Sequence, residues 1–240
     1  MKHCISYIAL TFLAVLSANA QPGIKVGYTN STHMVRIGEE KENMNADGMT
    51  AGLTYDFRLD KTLYLSTGLL YGFEWANDSY NQEMVLEEIV SGINVNERQM
   101  DHRIVLPIRL GYELEVIPEI LSFRASAGPA LSWTLASSTE LSMFGALNMA
   151  FIYNNIDGDL EFSHFPYDTS LQPVITESIQ NASYLHKRLD LSVGGSIEAL
   201  IIKNIGLEIG YDFGLLNKFR KSEDATYRRN GLSVTFNYIF

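Results

Sequence analysis

The stretch GLSVTFNYIF, residues 231–240, ends the chain in a strict alternation of apolar and polar side chains. One set of alternate positions is apolar and finishes on an aromatic residue: Leu232, Val234, Phe236, Tyr238 and Phe240. The other set is small or polar: Gly231, Ser233, Thr235 and Asn237. Because successive side chains of a strand lie on opposite faces, such a strand can present one face to lipid and the other to a barrel interior. The pattern is typical of the last strand of a bacterial outer-membrane β-barrel.

The same alternation recurs throughout the chain. Further strands are predicted in these segments: 24–28, 49–58, 63–75, 103–113, 123–133, 189–198 and 205–213. With the terminal strand the count is about eight, the smallest usual size of a transmembrane β-barrel. The sequence therefore predicts an all-β fold, an eight-stranded antiparallel transmembrane β-barrel of the up-and-down type.

Periodicity alone does not say which face lies inside, so a periplasmic lipocalin-like ligand binder remains the alternative. Three features favour lipid outside, and the third is the placement of the aromatic residues at the strand ends. Glycines gather on the polar face, as at Gly52, Gly72 and Gly128, with Gly195 as an exception, and a narrow lumen needs such small residues. The apolar face carries no Asp, Glu, Lys or Arg, as expected where a charge near the bilayer midplane costs about 2 to 4 kcal/mol.

Aromatic residues of the apolar face lie near the ends of the strands, which predicts two girdles at the membrane interfaces. The first comprises Tyr28, Phe73, Trp75, Trp133 and Phe213, and the second Phe57, Tyr112, Phe123, Tyr238 and Phe240. Long connections alternate with short ones: 30–48, 76–98, 137–187 and 217–228 are long, and 60–61, 115–120 and 203–204 are short. Outer-membrane barrels have long extracellular loops and short periplasmic turns, so both termini are expected in the periplasm.

The N-terminus resembles a signal peptide. Lys2 is followed by an apolar run over 5–16 and by Ala18-Asn19-Ala20, an A-x-A cleavage signal. We therefore expect residues 1–20 to be removed and residues 21–240 to form the barrel domain. The only cysteine, Cys4, lies in the removed segment, so the mature chain has no thiol for a disulfide or a metal site.

Composition restricts the partners. The formal net charge of −10 argues against nucleic acid, because phosphate binding requires Lys and Arg. Outer-membrane lipid and the barrel-insertion machinery are the expected partners, together with other envelope or secretion proteins. Nothing in the sequence predicts a cofactor.

Several motifs resemble the PorT-like outer-membrane β-barrel domain family, and the likeness covers essentially the whole mature chain. The motifs are Leu106-Pro107-Ile108, Gly128-Pro129, the segment from Leu189-Asp190-Leu191 to Gly194, and the run from Tyr211 to Asn217. The resemblance implies an eight-stranded outer-membrane barrel without catalytic residues, in a family of which a few members are linked to protein secretion and gliding. It indicates a structural or protein-interaction role, accessory to secretion or envelope maintenance.

Charged residues are numerous on the face predicted to line the lumen. The cations are Lys25, Arg58, Arg103, Arg109 and Arg124, and the carboxylates are Asp56, Glu74, Glu113, Asp190, Glu198, Glu208 and Asp212. A polar conduit is one interpretation. About eight strands leave an interior that side chains can fill, and buried charges persist when they are paired, so a salt-bridged plug is the favoured interpretation.

Two further hypotheses concern assembly and catalysis. The apolar face of the last strand, Leu232, Val234, Phe236, Tyr238 and Phe240, resembles a C-terminal signal that barrel-insertion machinery reads by strand addition. A rim lipid A hydrolase or acyltransferase is the less favoured alternative, since Ser163-His164, His102 and His186 lie near the extracellular ends of strands. Their spacing does not place a base beside a nucleophile, and we expect no enzyme.

Overall fold

The structure, a computed structural model, describes residues 20–86, 89–145, 148–165, 172–182, 185–220 and 225–240. The predicted signal peptide lies outside these residues except for Ala20, which begins the first strand. The described elements, in chain order, are β1 (Ala20–Ile37), β2 (Glu40–Arg58), β3 (Leu63–Leu86), β4 (Ile89–Ile117), β5 (Leu121–Gly145), β6 (Met149–Asn154), β7 (Leu160–His164), α1 (Gln172–Ala182), β8 (Leu189–Ile201), β9 (Ile205–Gly214) and β10 (Ala225–Ile239).

Eight of the strands close into a barrel in which every pairing is antiparallel. The sheet runs β4-β3-β2-β1-β10-β9-β8-β5, and β5 pairs back with β4. The chain ends meet where β10 pairs with β1, with Val26 opposite Phe236. Within the closed ring, each strand is paired on both sides, which satisfies the backbone hydrogen bonds there. The predicted eight-stranded antiparallel barrel is therefore confirmed.

The barrel has an apolar exterior and a polar interior. Neighbouring residues of β9 show the contrast, since Ile209 is 56% exposed while Glu208 is 7% exposed. Alternate positions of the other barrel strands behave alike, so the large exposed hydrophobic side chains form a continuous outer band. A soluble ligand-binding barrel has the reverse arrangement, with its apolar face inside.

Short turns at one end of the barrel lie where the sequence predicts them. They join β2 to β3 at 59–62, β4 to β5 at 118–120, and β8 to β9 at 202–204. Both ends of the barrel chain, Ala20 and Phe240, lie at this same end, since Ala20 pairs with Phe57 and the Phe240 amide bonds the Pro22 carbonyl.

The connections predicted as long loops differ from the prediction, because the strands continue through much of them. β1 and β2 pair up to a turn at Gly38, whose φ of 60° suits glycine, and β3 and β4 pair up to Leu86 and Ile89. Beyond the apolar band the outer face no longer needs apolar residues. The period-two hydrophobic signal therefore disappears while the backbone pairing persists.

Residues 137–187, also predicted as a loop, contain a small packed unit above the barrel. β6 pairs with the upper part of β5, and β7 pairs with β6. Met149, Phe151 and Tyr153 form its buried core, against which Ile175 and Ile179 of α1 pack. Within the described residues, no helix has the length and apolar character that crossing a membrane requires.

Candidate functional site in the barrel lumen

The lower half of the lumen contains an ionic network centred on Arg124. Its guanidinium lies 2.8 Å from Asp56, 2.8 Å from Glu113 and 3.6 Å from Glu198. The same group lies over the Tyr64 ring, 4.9 Å from its centroid. Arg124 is 2% exposed, so one buried cation neutralises several carboxylates drawn from β2, β4 and β8.

The network continues upward through Glu208. Asn237 donates hydrogen bonds to Glu198 at 2.6 Å and to Glu208 at 3.4 Å. Lys25 lies 2.8 Å from Glu208, and Arg109 lies 3.5 Å from Glu208 and 2.9 Å from Asp212. We call the connected set the lower network; it comprises Arg124, Asp56, Glu113, Glu198, Asn237, Glu208, Lys25, Arg109, Asp212 and Arg58, which lies 2.6 Å from Glu113.

Near the opposite end of the lumen, a single carboxylate lies between two arginines, whereas the lower network has a single arginine among several carboxylates. One buried carboxylate, Glu74, lies 2.5 Å from Arg103 and 2.5 Å from Arg229. Ser31 donates a hydrogen bond to the same carboxylate, and His33 Nε2 lies 3.7 Å from it. These five residues are called the upper cluster, in which two arginines share one glutamate.

Of the twelve charged residues predicted to line the lumen, eleven belong to the lower network or the upper cluster. Asp190 also points inward and is buried, but no Lys or Arg of the described chain lies within salt-bridge distance of it. Sequence reasoning missed Arg229 and His33. Arg229 lies two residues before Gly231 on the same face, so extending the alternation of the last strand back by two residues identifies it.

An aromatic ring fills the space above a glycine in the lower lumen. Tyr64 of β3 and Gly111 of β4 are directly opposite across the strands. A Cβ atom on Gly111 would lie 2.2 Å from the Tyr64 Cζ atom, far inside van der Waals contact. Gly111 therefore lets the ring lie flat against β4, beneath the Arg124 guanidinium.

A polar cavity of about 100 Å³ lies within the lumen. Arg103 and Arg229 of the upper cluster and Arg109 and Glu208 of the lower network contribute to its lining. Hydroxyl-bearing residues that line it include Thr29, Thr50, Thr54, Ser126, Ser192, Ser233 and Thr235. The buried Oγ1 atoms of Thr29 and Thr235 have no partner within the described protein, and a water occupies about 30 Å³ in the liquid, so the cavity has room for a few waters.

The outer mouth of the barrel is covered by a buried cluster around Tyr227. Its hydroxyl lies 2.8 Å from His33 Nδ1, and Lys218 Nζ lies 5.0 Å from its ring centroid. His186 and Phe219 form a β-bridge between two loop segments and stack near the same ring. Burial, reinforced by Lys218, lowers the pKa of His186 to about 3, so this imidazole is neutral at physiological pH.

The residues considered for rim catalysis are not brought together. Ser163 and His164 are exposed on β7, and no hydrogen bond in the described chain joins Ser163 to a histidine. His102 pairs with the Tyr71 hydroxyl, 2.5 Å away, and His186 Nδ1 lies 3.4 Å from Ser137 Oγ in the buried mouth. Among the described residues considered for rim catalysis, no exposed serine lies within hydrogen-bond distance of a histidine.

The proposed assembly signal lies on the outward face of β10. Leu232, Val234, Phe236 and Tyr238 are each more than 40% exposed, and Phe240 is 64% exposed. Tyr238 and Phe240 contact each other edge to face, with centroids 5.3 Å apart. These side chains are accessible to lipid or to another protein.

The chain is similar to several solved structures of bacterial surface proteins. Ail, the attachment invasion locus protein of Yersinia pestis, is 14% identical with a TM-score of 0.35, over 92% of this chain and 99% of Ail. Neisserial surface protein A is 10% identical with a TM-score of 0.36, over 90% and 97% of the two chains. OprG from Pseudomonas aeruginosa is 9% identical with a TM-score of 0.41, over 92% and 96%. No protein-family model and no curated protein matches this sequence.

Proposed function

We propose that this chain is an integral outer-membrane β-barrel with a closed lumen, and that it has a structural or protein-interaction role at the cell surface. The observation that carries the proposal is the sidedness of the closed ring: its exterior is apolar and its interior is ionic. Lipid is the solvent that such an exterior requires, because a water-exposed apolar band of this extent is unfavourable. The short turns and both termini then lie in the periplasm.

The lipocalin-like alternative is disfavoured by the same sidedness. A soluble ligand binder needs an apolar pocket, whereas this lumen holds the lower network and the upper cluster around a cavity of about 100 Å³. Drug-sized ligands occupy pockets of about 300 Å³ or more. The lumen is too small and too polar for that function.

An interaction role is supported by what projects beyond the apolar band. The paired extensions of β1 to β5 and the packed unit of β6, β7 and α1 form a structured surface. A plain membrane anchor does not need such a surface. An accessory role in secretion or envelope maintenance, within a PorT-like family, is the form of this proposal that the sequence motifs favour.

Cell fractionation and gel mobility test the membrane placement. The mature chain is expected in the outer-membrane fraction, to need detergent for extraction, and to migrate differently before and after boiling, because closed barrels resist detergent unfolding. Planar-bilayer recordings are expected to show no steady conductance. A chain that stays soluble without detergent would overturn the placement, and large stable channels would overturn the closed lumen.

The proposal assigns no catalysis to the chain. Mass analysis of lipid A from cells with and without the gene is therefore expected to give the same acyl pattern. If deleting the gene changed the acyl pattern, and Ser163→Ala caused the same change, the chain would be a rim enzyme instead.

Recognition by the insertion machinery is proposed for the outward face of β10. Deleting Phe240 is expected to lower the amount reaching the outer membrane several-fold, while barrels refolded in detergent lose at most about 1.5 to 3 kcal/mol from lost burial. Phe123→Ala, at an exposed aromatic of the same rim, is the matched control and is expected to spare insertion. Equal losses of insertion for both variants would reduce Phe240 to a membrane anchor.

A further inference from the structure

Above the apolar band, β2 and β3 stop pairing with each other although both strands continue. Their register ends where Asp47 lies opposite Trp75. From there β2 continues to Glu40 with β1 as its partner, and β3 continues to Leu86 with β4 as its partner. Among the residues whose contacts are described, no strand pairing or hydrogen bond joins 40–46 to 76–81. We call the space bounded by these two strand edges the β2/β3 cleft.

The molecule covers another edge of the same extension. β10 also continues beyond its pairing with β9, and there the 217–218 segment bonds to it. Asn217 donates to the Ala225 carbonyl and accepts from the Tyr227 amide, each at 2.9 Å, and the Lys218 amide donates to the Tyr227 carbonyl at 2.9 Å. A free strand edge readily pairs with another chain, and most proteins protect such edges. In the part of the chain that the structure describes, the two edges of the cleft have no such cover, so they are available for pairing.

Carboxylates face the cleft from both sides. Glu42 of β2 and Asp78 of β3 lie at inward positions of their strands, and Glu97 of β4 lies directly opposite Asp78. In the described residues, no Lys or Arg lies within 4.0 Å of these three groups. Burial, together with the nearby Glu42 and Asp78, raises the pKa of Glu97. Glu42 lies on one side of the cleft, and the paired Asp78 and Glu97 lie on the other.

We propose that the β2/β3 cleft binds an extended basic segment of a partner protein as an added β-strand. The added strand would take up the unpaired backbone groups of 40–46 and 76–81, as in other cases of β-strand addition. Its alternate side chains would point inward, where Lys or Arg would neutralise Glu42, Asp78 and Glu97. This inference rests on the proposed function, since a secreted or surface partner reaches the cleft when the extension faces outward.

Titration of the refolded full chain with defined peptides tests the inference. The probe is a fluorescent nine-residue peptide of alternating lysine and threonine. The controls are the same peptide with glutamate in place of lysine, and the lysine peptide with two central prolines, which cannot add as a strand. The lysine peptide is expected to bind and to slow amide exchange in 40–46 and 76–81 but not in 225–229.

Charge variants identify the site. Glu42→Gln with Asp78→Asn is expected to weaken binding of the lysine peptide about tenfold. These two residues belong to the strands that would flank the added strand, and each cross-strand ion pair is worth up to about 1 kcal/mol, or about fivefold. The matched control is Glu115→Gln with Glu119→Gln, two exposed carboxylates at the opposite end of the barrel, and it is expected to leave binding unchanged.

Specific outcomes separate this inference from the proposed function. Equal binding of the glutamate peptide, equal binding of the proline peptide, or an equal effect of both double variants would overturn the inference. Absence of peptide binding by a chain that fractionates with the outer membrane and is heat-modifiable would overturn it while leaving the membrane barrel intact. A chain that is soluble without detergent would overturn the membrane barrel, and peptide binding can still be scored on that chain.

Discussion

Buried charges are neutralised at both ends of the lumen, but the central side chain is a cation at one end and an anion at the other. In the lower network one arginine, Arg124, serves the carboxylates Asp56, Glu113 and Glu198. In the upper cluster one carboxylate, Glu74, serves two arginines. Both arrangements fill a narrow lumen, but they differ in what remains when the central side chain is lost. A carboxylate left alone can take up a proton, whereas an arginine keeps its charge at any physiological pH.

The largest expected effect is the loss of a central charge. Arg124→Met is expected to destabilise the refolded barrel by about 3 to 5 kcal/mol at neutral pH, because it leaves buried carboxylates without a cation. Ionised orphan carboxylates penalise the folded state, and below about pH 4 carboxylates are largely neutral in both states, so the loss shrinks on acidification. Urea unfolding in detergent at several pH values measures it.

Glu74→Gln is the matched change in the upper cluster. A loss of similar size is expected, and it should stay constant between about pH 5 and pH 8, because both stranded arginines remain protonated. Identical pH dependence for the two variants would remove the contrast between the two ends.

Removing a peripheral cation of the lower network is expected to have a smaller effect. Arg109→Ala leaves Glu208 with Lys25, and the Asp212 side chain is 25% exposed. A loss of about 1 to 3 kcal/mol follows from one unsatisfied and partly hydrated carboxylate. A loss as large as that of Arg124→Met, in the same unfolding assay, would show that the network has no central residue.

The outer mouth is expected to open on acidification because of His186. Its pKa is about 3 in the folded state, so the opened state binds more protons as the pH falls below the ordinary value of about 6.5. At about pH 5 the mouth therefore loses about 2 kcal/mol of closing free energy, and all of this contribution is present above about pH 6.5. Amide exchange of 185–187 and 217–219 reports the opening.

His186→Gln is expected to abolish that acid sensitivity, while His164→Gln, at an exposed histidine of β7, retains it. In the wild type and in both variants, the backbone amides around the upper cluster and the lower network should exchange slowly over this pH range. Acid sensitivity that survives His186→Gln would assign the opening to another titratable group beside Tyr227, such as His33.

The smallest expected effect concerns Arg58, at the margin of the lower network. Its side chain is 30% exposed, and Glu113 keeps Arg124 when Arg58 is removed. Arg58→Ala should therefore change the unfolding free energy by about 0.2 to 1 kcal/mol, as for ordinary exposed ion pairs. A loss above about 2 kcal/mol would contradict the central role assigned to Arg124.

The barrel was predictable from the sequence because lipid imposes a rule on every residue of a membrane strand. A position such as Ile209 must be apolar and its neighbour Glu208 must find a partner inside, so the alternation is visible without homologues. The predicted lumen residues followed from the same rule, since parity along a strand decides which face a residue occupies.

The alternation along the strands did not predict which lumen arginine pairs with which carboxylate. It also did not predict the structure beyond the apolar band. Which arginine meets which carboxylate depends on the shear of the barrel, as in the pairing of Arg109 with Asp212 across the lumen. Above the apolar band both faces of a strand meet water, so the extensions of β3 and β4 give no hydrophobic alternation. The packed unit of β6, β7 and α1 depends on contacts such as that of Ile179 with the Phe151 cluster, which sequence spacing alone does not show.

The Tyr64 ring that occupies the space above Gly111 also limits how this protein can change over generations. Any side chain at position 111 collides with the ring, and any smaller residue at position 64 leaves a void beneath Arg124. Single substitutions at either site are therefore expected to destabilise the barrel, and a route to another well-packed pair of residues requires changes at both sites. In a library that randomises both codons together, accepted variants should pair a bulky residue at one site with a small residue at the other, whereas libraries that randomise either codon alone should return the starting sequence.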